Sequence, residues 1–503
     1  MAEITSDGVV IGAGAAGLSA ASRLAKAGRT VTVLEARDRV GGRTWTREID
    51  GAMLEIGGQW VSPDQEALSQ TLDELGLETF ERYREGESVY VDHAGERHRY
   101  TGEIFPAGEQ TEAEIERLIG IVDALSLEVG AQEPWAHPKA AEYDAISWHA
   151  WLRTQSDDER ACEIVSIYVA EAMLTKPASS FSLLQALLMA ASAGGFAHLV
   201  DEDFILDRRV VGGMQQVSEL LAASLGDAVR LGAAVRRLEH TADGVVAHAD
   251  GDLVVRARRA IVAVPPNLYT RIDFQPPLPR MRHQMHQHVS LGLVIKVHAV
   301  YATPFWREDG LSGTVFAPYS AVHEVYDNTN HGDERGTLVA FISDLHADAS
   351  FRKGPEAQRA AILEQLAAYF GPQALEPEVF YLSDWGTEEW TRGAYAASFD
   401  IGGLSRCSAR PTDRCTGRAA TSPRRATSTS TARSAAAGPP PTRSSRRSAP
   451  DRAPHQPERR RRSMTTATEP KQTELSAKGL APGTVGVLGA VVIGVSTIAA
   501  VKV

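Results

Sequence analysis

The segment from Gly8 to Arg43 constrains the fold of this chain more than any other segment. Gly8–Ile11 is a short apolar run rich in β-branched residues, which predicts a buried parallel strand. A G-x-G-x-x-G motif occupies residues 12–17, a helical pattern covers Leu18–Ala27, and a second strand is predicted over Thr30–Leu34. The order of strand, glycine-rich turn, helix and strand predicts a βαβ unit.

Each glycine of the motif has a physical role in binding a dinucleotide. Gly12 allows the tight turn, Gly14 lets the backbone approach a pyrophosphate, and Gly17 lets helix and strand pack closely. The start of the helix offers free N–H groups to the phosphates. Glu35 ends the second strand, where it can accept hydrogen bonds from a ribose hydroxyl and disfavours the 2′-phosphate of NADP. A purely structural glycine turn is the alternative.

The residues after the second strand distinguish NAD from FAD. Residues 35–44 read E-A-R-D-R-V-G-G-R-T and resemble the matching segment of the flavin amine oxidases. In that family the second glycine pair and its arginine approach the FAD, and a guanidinium matches phosphate oxygens well. Gly57–Trp60, G-G-Q-W, resembles the segment that passes close to the flavin ring, where glycine avoids a clash. A simple turn is the alternative there.

A lysine interrupts the apolar strand predicted over Leu291–Val300. Burying a lysine is costly unless it is paired or has a function. The strand resembles the one that brings a lysine to a water at flavin N5 in the family, and Lys296 matches that lysine. A strand-end lysine whose ammonium extends to solvent is the alternative.

Two further segments suggest how the substrate is held. Residues 323–331 read H-E-V-Y-D-N-T-N-H and resemble the putrescine-oxidising members, in which a glutamate holds the distal ammonium of a diamine; Glu324 matches it. A surface acid is the alternative for Glu324. Tyr395 matches the tyrosine of the family pattern D-W…W-x-R-G-x-Y, one wall of an aromatic cage. Some members carry a flavin-linked cysteine before it, and Ala394 stands here, so the FAD is expected to be non-covalent.

The resemblance implies three catalytic residues, Lys296, Tyr395 and Glu324. No metal site is expected, since the three cysteines have neither metal nor disulfide spacing. The residues implied to bind FAD are Gly12, Gly14, Ala15, Ala16, Gly17, Glu35, Ala36, Arg37, Gly41, Gly42, Arg43, Gly57, Gly58, Gln59, Trp60, Val235, Trp385 and Trp390.

The family fold is α/β with two domains, a Rossmann-type FAD domain and an α+β substrate domain. The expected segments are 1–85 and 206–290 for the FAD domain, 86–205 and 291–404 for the substrate domain, a basic tail at 405–463 and an apolar segment at 464–503.

The resemblance implies oxidative deamination of a primary amine by FAD and oxygen. The expected substrate is putrescine, which would give 4-aminobutanal, ammonia and hydrogen peroxide. A monoamine or aromatic amine oxidase of the same fold is the alternative. Residues 1–404 carry a formal charge of −25, which suits steering of a cationic substrate, although solubility alone also explains it. Relatives suggest a homodimer, and no nucleic-acid partner is expected.

The resemblance stops near Leu404. Residues 405–463 contain 15 Arg, no Lys and three acids, and they lack Val, Ile, Leu, Met, Phe, Tyr and Trp. Such a stretch cannot bury a core and predicts disorder. We interpret it as a slipped reading frame, because Asp413–Arg443 read one nucleotide earlier can encode a segment similar to the missing FAD-contacting part of the family. A genuine basic tail that binds nucleic acid or anionic lipid is the alternative.

The last 40 residues resemble the start of another protein. Met464 begins a new polar stretch, and 479–501 is an uncharged run of 23 residues, long enough to span a bilayer. It resembles the first helix of amino acid–polyamine permeases. If this segment belongs to the protein, we expect it to be a membrane anchor. If it does not, the absence of an apolar leader near Met1 predicts a cytoplasmic protein. A third possibility is a catalytically inactive product that lacks the missing FAD segment.

Overall fold

The N-terminal βαβ unit forms as predicted in a computed structural model of the chain, which describes residues 2–102, 105–405 and 501–502. The strands are β1 (Ala2–Ile11), β2 (Val31–Leu34), β3 (Thr46–Ile49), β4 (Ala52–Glu55), β5 (Trp60–Val61), β6 (Thr79–Glu81), β7 (Glu87–Val91), β8 (Arg97–Tyr100), β9 (Arg208–Val210), β10 (Val229–Arg230), β11 (Val235–His240), β12 (Val245–Ala249), β13 (Leu253–Val262), β14 (Asp273–Gln275), β15 (Val289–Gly292), β16 (Val294–Tyr301), β17 (Leu311–Phe316), β18 (Glu324–Asp327), β19 (Gly336–Ser343), β20 (Val379–Asp384), β21 (Ala394–Phe399) and β22 (Val501–Lys502).

The helices lie between groups of these strands along the chain. They are α1 (Ala15–Lys26), α2 (Glu66–Leu75), α3 (Glu109–Val129), α4 (Ala140–Tyr143), α5 (Trp148–Gln155), α6 (Glu159–Val169), α7 (Leu183–Ser192), α8 (Phe196–Val200), α9 (Glu202–Ile205), α10 (Gln215–Leu225), α11 (Arg280–Gln287), α12 (Phe305–Glu308), α13 (Asp344–Phe351) and α14 (Pro355–Phe370). A π-helical turn covers Ala170–Leu174, and 3₁₀ turns cover Pro134–Ala136, Gly226–Ala228, Pro266–Arg271 and Pro372–Leu375.

The first sheet has the strand order β10-β2-β1-β13-β12-β11-β14, and β22 pairs with β13. Strands β10, β2, β1 and β13 are parallel, and β12 is antiparallel to both of its neighbours. Val9 and Val10 of β1 are fully buried. The carboxyl ends of β1 and β2 meet at one edge, which is where ligands bind in open α/β sheets.

Two predicted boundaries in this unit are wrong. Strand β1 begins at Ala2 rather than Gly8, because it pairs with β13 from Ala2↔Leu253 onwards. Helix α1 begins at Ala15 rather than Leu18, with Gly14 as its N-cap. The apolar pattern missed the first residues of both elements, most of which are not buried.

The second sheet has the strand order β20-β16-β19-β18-β17-β7-β8. All eight residues of strand β16, next to the edge strand β20, are buried, including Lys296. A helical layer from α3 to α9 contributes the largest buried apolar cluster, which contains the fully buried Trp148 and Phe181. In the described part of the chain, no helix has the length and apolar character that a membrane crossing requires.

Candidate active site

The strand register places two predicted catalytic residues on one face of the second sheet. Lys296 of β16 lies opposite Phe341 of β19, and Phe341 lies opposite Glu324 of β18. Directly opposed residues project from the same face, and neighbouring strands lie about 4.8 Å apart. The lysine and the glutamate therefore stand roughly 10 Å apart, two strand spacings, with an aromatic ring between them.

The Lys296 ammonium is buried against the Gly57–Trp60 loop. Its Nζ donates hydrogen bonds to the carbonyls of Glu55 (2.7 Å) and Gly57 (2.8 Å), and a third to Oε1 of Gln59. The same Nζ lies 5.6 Å from the centroid of the Trp60 ring. Burial lowers the pKa of Lys296 from 10.5 to about 7. The predicted lysine and the predicted loop thus form one hydrogen-bonded unit.

A buried ion pair that the sequence did not predict supports this loop. Arg209 and Glu55 are each 1% exposed, and two guanidinium nitrogens of Arg209 donate to Oε2 of Glu55 at 3.0 and 2.8 Å. The other carboxylate oxygen accepts from the backbone N–H of Met214 at 2.7 Å. Arg209 also donates to the carbonyl of Asn328, whose side chain accepts from Gln59. The strand pattern around Arg209 carried no signal of this role.

Tyr395 lies at the same site as the lysine and the glutamate. Its ring centroid is 6.1 Å from that of Phe341, edge to face. Burial and the nearby Glu324 carboxylate raise the pKa of Tyr395 well above its usual value, so the phenol stays neutral. The carbonyl of Tyr395 accepts a hydrogen bond of 2.8 Å from Nη1 of Arg43. Tyr395 therefore connects the substrate face of the sheet to the arginine predicted to approach the FAD.

The nucleotide pocket opens at the carboxyl ends of β1 and β2. Glu35 is 3% exposed, and its carboxylate accepts from the backbone N–H groups of Ala13 (2.7 Å) and Arg37 (3.0 Å). No side chain caps the N-terminus of α1, where Gly14 is the N-cap. The helix start and the acid at the strand end are therefore arranged as a dinucleotide requires.

The motif glycines are needed for two different reasons. A Cβ on Gly17 would lie 1.9 Å from the carbonyl oxygen of Gly12, and one on Gly12 would lie 2.7 Å from that of Ala263. These two glycines allow close backbone packing. A Cβ on Gly14 would meet nothing nearer than Gly42 Cα at 3.9 Å, so packing within the described residues does not explain this glycine. Close approach of a ligand does.

The pocket encloses about 880 Å³, including its opening to solvent. Most of the predicted FAD-binding residues line it, namely Gly12, Gly14, Ala15, Glu35, Ala36, Arg37, Gly41, Gly42, Arg43, Val235 and Trp390. Its lining also includes residues that the prediction missed, among them Ala263, Val264, Pro265, Leu268, Arg271, Ile272 and Thr391. The apolar run at 260–266 was a signal for the first three, whereas Arg271 had none.

Arg43 lies in this pocket without a carboxylate partner among the described residues; Tyr395 is its hydrogen-bond acceptor. Burial, and next the charge of Arg37, lower the pKa of Arg43 to about 9. A buried cation that lacks a counter-charge favours an anion beside it. The pyrophosphate of a dinucleotide is such an anion.

Seven predicted FAD-binding residues are not part of that lining: Ala16, Gly17, Gly57, Gly58, Gln59, Trp60 and Trp385. Trp385 donates from Nε1 to the carbonyl of Ile56 at 2.8 Å, immediately before the Gly57–Trp60 loop. Trp390, which does line the pocket, stacks with the guanidinium of Arg271 at 4.2 Å from its ring centroid. Trp385 therefore supports the loop, whereas Trp390 closes the pocket.

Comparison with known proteins agrees with this geometry. The family model for flavin-containing amine oxidoreductases matches residues 15–409. Putrescine oxidase of Kocuria rosea is 63% identical over 414 residues, which are 80% of this chain and 87% of that protein. Human flavin-containing amine oxidase B is 31% identical over 417 residues, 81% of this chain and 80% of that protein.

Solved structures give the same result. Wild-type putrescine oxidase bound to putrescine superposes with a TM-score of 0.81 at 63% identity, over 82% of this chain and 91% of that one. Cyclohexylamine oxidase from Brevibacterium oxydans superposes with a TM-score of 0.77 at 30% identity, over 80% and 90% of the two chains. The resemblance and the two-domain α/β fold predicted from the sequence are confirmed. The chain belongs to the flavin-containing amine oxidoreductase family.

Proposed function

We propose that this protein is an FAD-dependent oxidase that converts putrescine into 4-aminobutanal, with release of ammonia and hydrogen peroxide. Its 63% identity to the putrescine oxidase of Kocuria rosea supports this substrate. So does its similarity to a putrescine oxidase structure that contains putrescine.

The buried Glu324 carboxylate is the observation that carries the choice of a diamine. Glu324 is 5% exposed and lies beside Phe341 on the site face, close enough to Tyr395 to raise the pKa of its phenol. A buried carboxylate is costly unless a positive charge compensates it. The distal ammonium of a diamine supplies such a charge beside Glu324, whereas a monoamine does not.

The nucleotide pocket fits FAD. Glu35 would bind the ribose, while Arg43 and the helix start at Gly14 would bind the pyrophosphate. When bound, FAD supplies a two-electron acceptor that oxygen restores, with hydrogen peroxide as the product. We propose that it is held non-covalently, since Ala394 stands where some members carry the linking cysteine. Acid precipitation should then leave all of the flavin in the supernatant.

The site residues have separate roles in this proposal. Tyr395 and Phe341 form aromatic walls that orient the amine carbon, and Glu324 holds the distal ammonium. Lys296 would hold a water beside the reacting flavin nitrogen by releasing one of its three acceptors, Glu55, Gly57 or Gln59. Because the phenol of Tyr395 stays neutral, it adds no charge to the reacting end of the substrate.

Oxidation of an aromatic monoamine is the second candidate. Trp60 packs against Tyr326 and Phe341 with centroid distances of 5.8 and 5.9 Å, so the site face has an aromatic wall that suits such a substrate. The test is Glu324→Gln, with the exposed Glu334→Gln as control. We expect kcat/KM for putrescine to fall about 10- to 100-fold relative to butylamine, the range for a charged hydrogen bond. An unchanged preference would remove putrescine as the proposed substrate.

The predictions for residues 406–500 lie outside the described residues. We infer that the reading frame slips after about residue 404, and an unbroken frame on resequencing would refute this. If the printed tail is genuine, the protein is an inactive product or is tethered to a membrane through 479–501. A flavin absorbance spectrum of the purified chain tests the first possibility. A homodimer in the cytoplasm is the proposed state of the active enzyme.

A further inference from the structure

A second carboxylate, Glu171, lies beyond Glu324 at the edge of the site. Glu171 belongs to the π-helical turn Ala170–Leu174, and its Oε2 lies 4.0 Å from Nδ1 of His323. The same nitrogen lies 3.9 Å from Oε1 of Glu324. Nδ1 of the imidazole thus has a carboxylate oxygen of each acid nearby, but neither is close enough to form a hydrogen bond with it.

A hydrogen-bonded chain fixes the orientation and the tautomer of His323. The imidazole is 1% exposed, and its Nε2 lies 2.6 Å from Oγ of Ser343. That hydroxyl donates to the carbonyl of Glu171 at 3.5 Å, so it accepts from Nε2–H. The other nitrogen, Nδ1, is left as an acceptor, and it is buried without a hydrogen-bond partner among the described residues.

The environment of Nδ1 of His323 favours the binding of a cation. Burial, and next the charge of His346, lower the pKa of His323 to about 3, so the imidazole is neutral and supplies no positive charge to Glu171. Burial, and next the charge of Asp344, raise the pKa of Glu171 to about 7. Oε2 of Glu171 is also buried without a partner in the described part of the chain. A cation with N–H donors, placed between Oε2 of Glu171 and Nδ1 of His323, would satisfy both atoms at once.

We propose that Glu171, His323 and Glu324 together bind the distal ammonium of the diamine. An alkylammonium has three N–H donors, and these three residues offer three acceptor atoms. Oε2 of Glu171 lies 4.0 Å and Oε1 of Glu324 lies 3.9 Å from Nδ1 of His323, so an ammonium beside the imidazole can donate to Nδ1 and to the neighbouring carboxylates. Glu171 is therefore a specificity-determining residue of the site. The inference rests on the proposed function, because it requires a diamine as substrate.

The test measures amine binding with Glu171→Gln. Calorimetric titration of the dithionite-reduced protein under nitrogen gives Kd for putrescine and for butylamine, since the reduced protein cannot oxidise either amine. We expect Glu171→Gln to weaken putrescine binding about tenfold and to leave butylamine binding unchanged. The matched control is Glu116→Gln, which removes an exposed acid of helix α3 and should change neither Kd.

The outcomes separate this inference from the proposed function. Loss of the putrescine preference in Glu324→Gln but not in Glu171→Gln would refute the inference and leave the function standing. An equal loss for both amines in Glu171→Gln would also refute it, since that result indicates a structural role. If the unmodified protein binds both amines equally, the diamine function and the inference fail together. If Glu171→Gln does not fold, Glu171→Asp is the test variant. Its shorter carboxylate should weaken the binding of putrescine and leave the binding of butylamine unchanged.

Discussion

Replacing Lys296 with methionine should remove a gain in stability that we expect for this protein between pH 7 and pH 9. Burial lowers the pKa of the folded Lys296 ammonium to about 7, with Glu55 opposing the shift and Arg209 adding to it. In the unfolded chain a lysine keeps its proton up to a pKa of about 10.4. The unfolded state therefore binds more protons in this interval, and the free energy of unfolding rises with pH.

The size of the gain follows from those two pKa values. A difference of one pKa unit corresponds to about 1.4 kcal/mol. Because the folded amine is already half neutral at pH 7, the free energy of unfolding should rise by about 2 kcal/mol between pH 7 and pH 9 through this group. Below about pH 6 the charged amine is present in both states, and this contribution no longer changes with pH.

Urea denaturation at pH 7 and pH 9 measures the effect. The unmodified protein and Lys353→Met, which removes an exposed lysine, should both gain about 2 kcal/mol more than Lys296→Met over this interval. Other titrating groups contribute equally to all three proteins and cancel. An equal gain in Lys296→Met would show that the lysine is not held as a buried, partly neutral amine.

Four further substitutions test the pocket and its support. Gly14→Ala should weaken flavin retention without lowering the melting temperature, because its Cβ meets no described protein atom nearer than 3.9 Å. Gly17→Ala, in contrast, should fail to give soluble protein, because its Cβ would lie 1.9 Å from a carbonyl oxygen. Arg209→Met should lower the free energy of unfolding by about 3–5 kcal/mol in urea titrations, since it leaves the Glu55 carboxylate buried and unpaired. Arg43→Met should raise the melting temperature of the flavin-free protein and reduce the further rise that FAD produces, because burial disfavours this cation until an anion binds.

The sequence alone was sufficient to predict those site residues whose positions depend on a local pattern. The turn at 12–17 and Glu35 lie within one βαβ unit, so their spacing already fixes their relative positions. Lys296 was detectable because a charge inside an apolar strand contradicts the strand's own pattern. The family resemblance added Tyr395 and Glu324, which lie in separate segments and could not be related to each other by a local pattern.

The remaining site residues depend on contacts between distant segments. Arg209 finds Glu55 only because β9 pairs with β5 and places the guanidinium beneath the Gly57–Trp60 loop. Glu171 reaches His323 from a π-helical turn, which has no distinctive residue pattern. Neither the apolar periodicity nor the spacing of charges along the chain contains such information, since pairing partners and register are set by the assembled sheets.

The charges of the site differ in sign from one end to the other. Lys296 and Arg43 lie toward the nucleotide pocket, and Glu324 and Glu171 lie at the opposite end. A free diamine carries two ammonium groups at neutral pH, since such amines have pKa values near that of lysine, about 10.4. Near the Arg43 guanidinium and the partly charged Lys296 an ammonium is disfavoured and its pKa falls, whereas carboxylates stabilise the charged form. One substrate can thus be held with a neutral amine at the reacting end and a charged one at the other, so the protein needs no strong general base beside the carbon that is oxidised.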